Sequence, residues 1–420
     1  MDNESEQVII VGAGVIGLCA AWHCLKAGKS VTVIDRDSVD QSARSACSYG
    51  NAGMVVPSHF IPLAAPGIIG KGLKWLANPE GPFFIRPRAS VDLIRWCKIF
   101  TTHATTKHVV DSRELLRDLN LESRRLFKEM AEEAGVTLTE RGLLMLCQSD
   151  RGLDEEVEVA EMANALGISA EVCDPARLKE IDKGIQMDVK GGVWFKQDCH
   201  LDPSAFMDGL RARILEMGAE VVEGTEVTGL KNAGGGVVSL DGVVVPPASQ
   251  IVLACGAWTG DLLKSIGKRL PMQAGKGYSL TLDSPRELPE LCSILSEAKV
   301  AVTPINCQLR FAGTMEICGN DLSVNPRRVH GIVRSACQYF PSYGEEDFQD
   351  VRPWAGLRPC SPDGLPYIGR VSSYSNLTVA TGHSMMGVSM GPMTGRLVAE
   401  ILGANDPSLD IHKLDPMRFS

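Results

Sequence analysis

The sequence contains no Cys-x-x-Cys pair, although 13 cysteines are scattered through its 420 residues. An odd, unpatterned set of thiols argues against a disulfide framework or a structural zinc site. It fits small core side chains kept reduced. Long apolar runs are missing too. The nearest approach, Ile61 to Leu76, is broken by Pro62, Pro66, Lys71 and Lys74, whereas a membrane span needs roughly 18 apolar residues in a row. The first residues, Met1 to Gln7, are polar and acidic, unlike a secretory signal. Positive charge is in deficit: the formal net charge of −9 argues against a general nucleic-acid binder. No Walker loop and no His-Glu-x-x-His occurs. His23, near Cys19 and Cys24, reads as a packing residue, and no metal site is expected. These absences leave a globular protein of two or three domains, expected in the cytoplasm. A peripheral contact with the inner face of a membrane stays open.

What is present begins at Val8. Val8 to Val11 is a short β-branched run that reads as a buried strand. Gly12-Ala13-Gly14-Val15-Ile16-Gly17 follows, then a helix from about Val15 to Lys26, ending before Gly28. Val31 to Ile34 is a second strand, closed by Asp35 and Arg36. Strand, Gly-x-Gly-x-x-Gly, helix, strand and acid form the dinucleotide fingerprint. Gly12 permits the tight turn, Gly14 lets the backbone approach a pyrophosphate, and Gly17 lets helix and strand pack closely. The helix N-terminus, at Val15 and Ile16, offers free N–H groups and partial positive charge to phosphates. Asp35 is spaced to bond a ribose hydroxyl and would repel a 2′-phosphate.

The remainder of the chain separates FAD from NAD. The further strands of a nicotinamide-binding domain do not follow at once. Residues 41 to 56 are instead small and polar, including Ser42, Ser45, Ser48, Gly50, Asn51, Ala52 and Gly53. They suit backbone and hydroxyls running beside an extended flavin. Two later segments read as returns to the same domain. One runs from a helix at Pro203 to Met217 through Val227 to a strand ending in Gly256-Ala257-Trp258. The other is a strand from Leu377 to Ala380, a loop over 381–390 containing Gly387, Val388 and Ser389, and a helix from about Gly391 with Pro392 in its first turn.

These motifs together resemble the FAD-dependent D-amino acid dehydrogenases, within the glycine oxidase and sarcosine oxidase-like group. The resemblance rests on Val11 to Gly17, and on Ser48-Tyr49-Gly50-Asn51-Ala52-Gly53 with Ala64-Ala65-Pro66-Gly67 and Leu73-Lys74-Trp75-Leu76 after it. It rests further on Lys276-Gly277-Tyr278-Ser279, on Trp354-Ala355-Gly356-Leu357-Arg358-Pro359 with Pro362-Asp363-Gly364-Leu365-Pro366, and on Thr381-Gly382-His383. It implies an α/β chain: a Rossmann-like FAD domain over 1–56, 196–262 and 345–420, and an antiparallel-sheet substrate domain over 57–195 and 263–344. It also implies oxidation of an amino acid to an imino acid, which water converts to a 2-oxo acid. A D-proline or hydroxy-D-proline type of substrate is included. The loop Ser384-Met385-Met386-Gly387-Val388-Ser389 departs from the Gly-Trp-Thr often found after Gly-His in these dehydrogenases. An oxidase of glycine or sarcosine is a close rival, and a nicotinamide-dependent dehydrogenase a distant one. Oxygen or a quinone is the expected electron acceptor; the number of subunits stays open.

For such chemistry the substrate carboxylate needs a partner, and the arginine fork suits it. Arg310, in the alternating strand Gln308 to Thr314, is the first candidate. Arg358 is its rival, placed nearer the flavin. Tyr278 is expected to offer its hydroxyl to the same carboxylate, His59 to line the mouth and assist with the amine proton, and His383 to bond near the flavin. The segment Ile61 to Leu76 reads either as a lid over the pocket or as a shallow membrane contact.

Overall fold

The computed structural model describes residues 6–38, 45–76, 78–244, 246 and 249–420. Ser42 and the rest of 39–44 lie outside these. The chain opens as β1 (Gln7–Val11), α1 (Val15–Lys26) and β2 (Ser30–Ile34). Next come β3 (Met54–Val55), α2 (Ile68–Leu76), β4 (Phe83–Ile85), α3 (Val91–His103) and α4 (Thr106–Glu133). The middle holds β5 (Leu143–Cys147), α5 (Asp150–Ala165), β6 (Ala170–Cys173), α6 (Pro175–Ile181), β7 (Gly191–Phe195), β8 (Cys199–His200), α7 (Pro203–Glu216) and β9 (Glu220–Val222). A hairpin follows, β10 (Gly229–Gly234) and β11 (Val237–Asp241), then β12 (Gln250–Leu253) and α8 (Thr259–Lys264). Four long-range strands come next: β13 (Gln273–Leu282), β14 (Cys292–Leu295), β15 (Val300–Ile305) and β16 (Gln308–Ile317). The last elements are α9 (Pro326–Tyr339), β17 (Trp354–Cys360), β18 (Tyr367–Arg370), β19 (Leu377–Thr381) and α10 (Gly387–Leu402).

Two sheets organise these elements. The first has the order β18-β19-β12-β1-β2-β9, parallel apart from β18. Its central strand β1 is apolar along Val8 to Val11 because both faces are covered, as parallel strands require. The second sheet runs β17-β13-β16-β15-β14-β5-β7-β6, with β4 added to β16, and is mostly antiparallel. Among the described residues no helix is long and apolar enough to cross a membrane.

The structure differs from the sequence reading in three places. Residues 354–360 were expected with the first sheet, yet β17 pairs with β13 from Ser279↔Trp354 to Gln273↔Cys360. It covers the edge that β13 would otherwise expose, and the chain changes sheets only after Cys360. The helix α4, expected with the second sheet, instead packs along α10 and α7. Its buried Asn120 and Ser123 bond Ser389 and the Met393 N–H of α10. Finally, α10 starts at Gly387, so Pro392 lies inside it. The prolyl ring removes only the N–H that would reach Val388, while nearly every other residue of the helix is buried and holds it in place.

The contact joining the two ends of the chain is α1 against α10. Gly395 sits so close to α1 that an added Cβ would lie 2.5 Å from the Cys19 carbonyl. Gly395→Ala must therefore push the helices apart, at a cost of about 1–3 kcal/mol. Gly70→Ala, on exposed α2 with nothing within 4 Å, should be neutral or slightly stabilising. Thermal denaturation of the two variants beside the parent checks this. Equal melting temperatures for Gly395→Ala and the parent would contradict the close approach.

Candidate active site

The fingerprint turn forms as its residue types demand. Gly12 has φ 108°, and a Cβ there would meet the Ala254 carbonyl oxygen at 2.6 Å. A Cβ on Gly17 would lie 1.8 Å from the Gly12 oxygen, so Gly17 serves helix–strand packing and does not face the cavity. Asp35 ties the turn to the end of β2: its oxygens accept from Ala13 N (2.5 Å) and Asp37 N (2.8 Å). Burial raises its pKa, opposed by these two N–H groups. Each oxygen keeps a lone pair for a ribose hydroxyl. Ser48 Oγ caps α1 by accepting from Val15 N at 3.2 Å. Arg36 stacks on Trp258 at 3.9 Å and donates to Ser45 Oγ at 3.1 Å.

From this turn a continuous cavity of about 1220 Å³ runs between the two sheets. It exceeds the roughly 300–1,000 Å³ of ordinary ligand pockets, as a dinucleotide with a second molecule beside it would require. At one end stand Gly12, Gly14, Val15, Ile16, Asp35, Arg36, Ser45, Ser48, Val227, Gly256 and Trp258. Farther along stand Asn51, Ala52, His59, Tyr278, Arg358, His383, Gly387 and Val388. The residues therefore fit FAD. The N-termini of both α1 and α10 open onto the cavity, with N–H groups that have no intrahelical acceptor. His383 gives a second sign of fit. One ring nitrogen bonds Thr394 Oγ1 at 2.9 Å, while the other is buried without a partner. Burial pushes its pKa down to about 3, so the ring is neutral. That orphaned nitrogen, on the cavity wall, is one a polar flavin edge would satisfy.

Several expected site residues lie elsewhere. Gly53, at φ 71°, faces the Leu201 carbonyl, and Gly382, at φ 81°, faces the Tyr367 ring. Both shape loops without lining the cavity. Ser389 is buried inside α10, donating to Asn120 Oδ1 (2.6 Å) and accepting from Val56 N (2.9 Å). It is also the serine of Gly387-Val388-Ser389-Met390-Gly391, which spells Gly-x-Ser-x-Gly; its hydroxyl is fully engaged and no nucleophile. Arg310 does not reach the cavity. Its guanidinium is held by the carbonyls of Tyr49 (3.2 Å) and Asn51 (2.8 Å) and by Thr281 Oγ1 (3.1 Å). It supports the flavin-side loop from behind.

Tyr278 is on the cavity wall, but its side chain is buried in the core behind the sheet, with Lys276 over its ring. Its hydroxyl donates to Glu316 Oε2 at 2.5 Å and accepts from Asn325 N at 3.2 Å. Glu316 is drawn there by buried Lys276 (3.3 Å) and Arg328 (3.6 Å), so the acid outcompetes any ligand for that hydroxyl. Burial and Glu316 hold the phenol pKa well above its ordinary value.

Arg358 is the arginine on the cavity wall. It leaves β17, passes over Gly277 of β13, and donates to the Thr314 carbonyl of β16. A Cβ on Gly277 would lie 2.1 Å from its Nη2, so the glycine is what lets the side chain cross. Among the described residues no carboxylate pairs with it. Burial lowers its pKa, yet a guanidinium stays charged in proteins. The structure thus holds an uncompensated cation facing an apolar cavity. Its register partner is Gly275, and its crossing of Gly277 is a diagonal that strand register sets and the sequence alone does not signal. Cys47 and Gly356, both on the wall, carried no signal either.

The FAD dependent oxidoreductase (DAO) family model matches residues 7–401. Glycine oxidase from Geobacillus kaustophilus superposes with a TM-score of 0.76 at 21% identity, covering 99% of this chain and 100% of that one. L-proline dehydrogenase from P. horikoshii gives 0.70 at 20% identity, covering 99% and 98%. The L-alpha-glycerophosphate oxidase from Mycoplasma pneumoniae with FAD bound gives 0.69 at 15%, covering 95% of each chain. At these identities the solved structures share the fold. With the family matched from Gln7 to Ile401 and the cavity built to suit, the chain belongs to the FAD-dependent oxidoreductases of the DAO family, and its cofactor is FAD.

Proposed function

We propose that this enzyme oxidises the carbon–nitrogen bond of a small amino or imino acid whose carboxylate is held by Arg358. The unpaired guanidinium carries this reading. A buried charge without a partner is costly, and a planar carboxylate can satisfy it through two parallel N–H bonds. FAD, when bound, supplies the two-electron acceptor for the α-carbon hydride. The chain's own part is orientation and exclusion of water. Arg358 anchors one end of the substrate, while Ala301 and Ala312 keep the neighbouring sheet surface low enough for a small molecule. The D configuration, including a D-proline or hydroxy-D-proline type of substrate, is supported by the motif resemblance. Glycine oxidase and L-proline dehydrogenase, among the similar structures, support the carbon–nitrogen chemistry without a chirality. The catalytic assignment thus passes from Arg310 to Arg358, with Tyr278 as a wall residue.

The test is anaerobic mixing of the yellow protein with D- and L-amino acids, glycine, sarcosine and D-proline analogues. Glycerol 3-phosphate serves as an anionic control lacking nitrogen. Flavin bleaching by one or a few D-amino acids is expected. Bleaching by glycine or sarcosine alone would favour the amine-oxidase variant, and bleaching by none would end the amino-acid reading. Readmitting air or adding a quinone to the bleached protein then identifies the acceptor.

Two substitutions test the clamp. Arg358→Met should lower kcat/KM by at least about 30-fold, chiefly through KM, because truncating one partner of a buried charge pair costs about 2–5 kcal/mol. Flavin content should persist. Gly277→Ala should also raise KM, since its methyl occupies the guanidinium's path. Arg310→Met should instead loosen the 49–51 loop and weaken flavin retention. A large KM effect in Arg310→Met with none in Arg358→Met would return the clamp to Arg310.

A further inference from the structure

Beside the substrate end of the cavity lies a hydrogen-bonded chain of three side chains that the reaction as described does not use. The short pairing of β3 with β8, Met54↔His200 and Val55↔Cys199, brings the loop after β3 against the turn before β8. Asp198 in that turn is fully buried. Ser58 meets it twice: its backbone N–H donates to Oδ1 at 3.1 Å, and its Oγ donates to Oδ2 at 2.5 Å. The same Oγ lies 3.1 Å from His59 Nδ1. His59 is half-buried and lines the cavity, its loop turned by its own N–H bonding the Val56 carbonyl at 3.0 Å.

The proton inventory fixes the direction. Ser58 has one hydroxyl hydrogen, and an ionised Asp198 takes it. Ser58 can then only accept from His59, so Nδ1 carries the imidazole hydrogen and Nε2 a lone pair. We propose that Asp198 and Ser58 are positioning residues that hold His59 in this tautomer, and that His59 Nε2 is the base that removes a proton from the substrate's ammonium group. This rests on the amino-acid reading above. The step balances: the N–H bond breaks, its electron pair stays on nitrogen, and His59 becomes an imidazolium. The free amine's lone pair is then available for the C=N bond, and bound FAD would supply the acceptor for the α-carbon hydride. The imidazolium returns its proton to water between turnovers.

The surroundings are consistent with this. Burial and the nearby Lys299 push the His59 pKa down to about 4, so the ring is neutral and its lone pair is free. The same desolvation disfavours the substrate ammonium, which brings the two basicities together. Burial pushes Asp198 up to about 7, opposed by its bonds to Ser58 and by Arg124 at longer range. Other ionisable side chains on the cavity lining include Arg358, Tyr278, His383, Glu156, Glu158, and the Lys71–Glu155 pair (2.6 Å); Glu156 already accepts from Ser296 Oγ at 2.6 Å. Burial first, and the Asp198 charge after it, raise the pKa values of the Cys199 and Cys292 thiols. The relay is therefore set as pH climbs through the Asp198 titration and is lost below it.

Two measurements on the holoenzyme test the proposal. In the first, ¹⁵N-histidine NMR without substrate reads the tautomer: Nδ1–H is expected for His59 at pH values above the Asp198 titration, and a stable Nε2–H form there would overturn the relay whatever the substrate proves to be. In the second, kcat/KM is followed against pH with an amino acid found to bleach the flavin. His59→Gln should fall by roughly 10²-fold at about neutral pH, in the range of general-base contributions, and approach the parent as the substrate's own amine deprotonates. Ser58→Ala should show the same displaced profile and Ser58→Thr should restore it. Profiles of His59→Gln and Ser58→Ala that keep the parent's shape, at whatever absolute rate, would sink the proposal. Failure of every amino acid to bleach the parent would instead remove the amino-acid reading, leaving the tautomer to be judged by NMR alone.

Discussion

The packing of α10 on α1 is the constraint on which the site depends. These helices come from opposite ends of the chain, and Gly395 allows their backbones to touch. Because they touch, the N-terminus of α10 opens onto the cavity that begins at the fingerprint turn of α1. A side chain at residue 395 would separate the two helix ends by the thickness of a methyl group or more. The loop before α10, with His383 and Ser384, would move with it. The long helix α4 reinforces the arrangement from the far side, through the Asn120–Ser389 and Ser123–Met393 bonds. One turn of Ser389 thus links α10, α4 and the Val56 N–H of the loop that carries His59.

The second sheet contributes a wall of a different character. Its cavity face is built from small residues, Gly277, Ala301, Ala312 and Gly356, over which one long cationic side chain is laid. On the opposite side of β13 and β16 the charges are paired: nearly inaccessible Lys276 and Arg328 share Glu316, and Lys276 also meets Asp321 at 3.8 Å. The contrast supports the proposal that Arg358 is the cation that meets the substrate. A protein that pairs three buried charges behind the sheet leaves Arg358 alone in front of it. Local violation of pairing rules, inside an otherwise consistent structure, is expected where a ligand completes the set.

The sequence made the first unit legible because its signals are local. Gly12, Gly14, Gly17 and Asp35 lie within one strand–helix–strand, and the spacing alone dictates their roles. Return of later segments to the same cavity could also be read, since Gly256, His383 and Gly387 follow strands at their carboxyl ends. What could not be read was orientation across long-range pairings. Arg310 and Arg358 are both strand arginines, and only the register of β13 with β16 and β17 turns one toward the Tyr49 and Asn51 carbonyls and the other toward the cavity. Tyr278 was misjudged for a related reason: Glu316 claims its hydroxyl from a strand 38 residues away. Asp198 carried no motif at all. Its proximity to Ser58 follows from a two-residue strand pairing that no periodicity announces.

The same burial that shapes the site also couples it to acid. His23, His59 and His200 have pKa values pushed down to about 4, and His383 to about 3, in each case first by desolvation. The folded protein keeps these rings neutral where an unfolded chain, with histidines near 6.5, would protonate them. The unfolded state therefore binds more protons between those values, and each ring's contribution to stability declines as pH falls from about 6.5 toward the folded value. Two of the four, His59 and His383, lie on the cavity wall. In the resting protein both rings therefore keep a lone pair. Sensitivity to acid is thus built from the same desolvated wall that buries the Arg358 guanidinium.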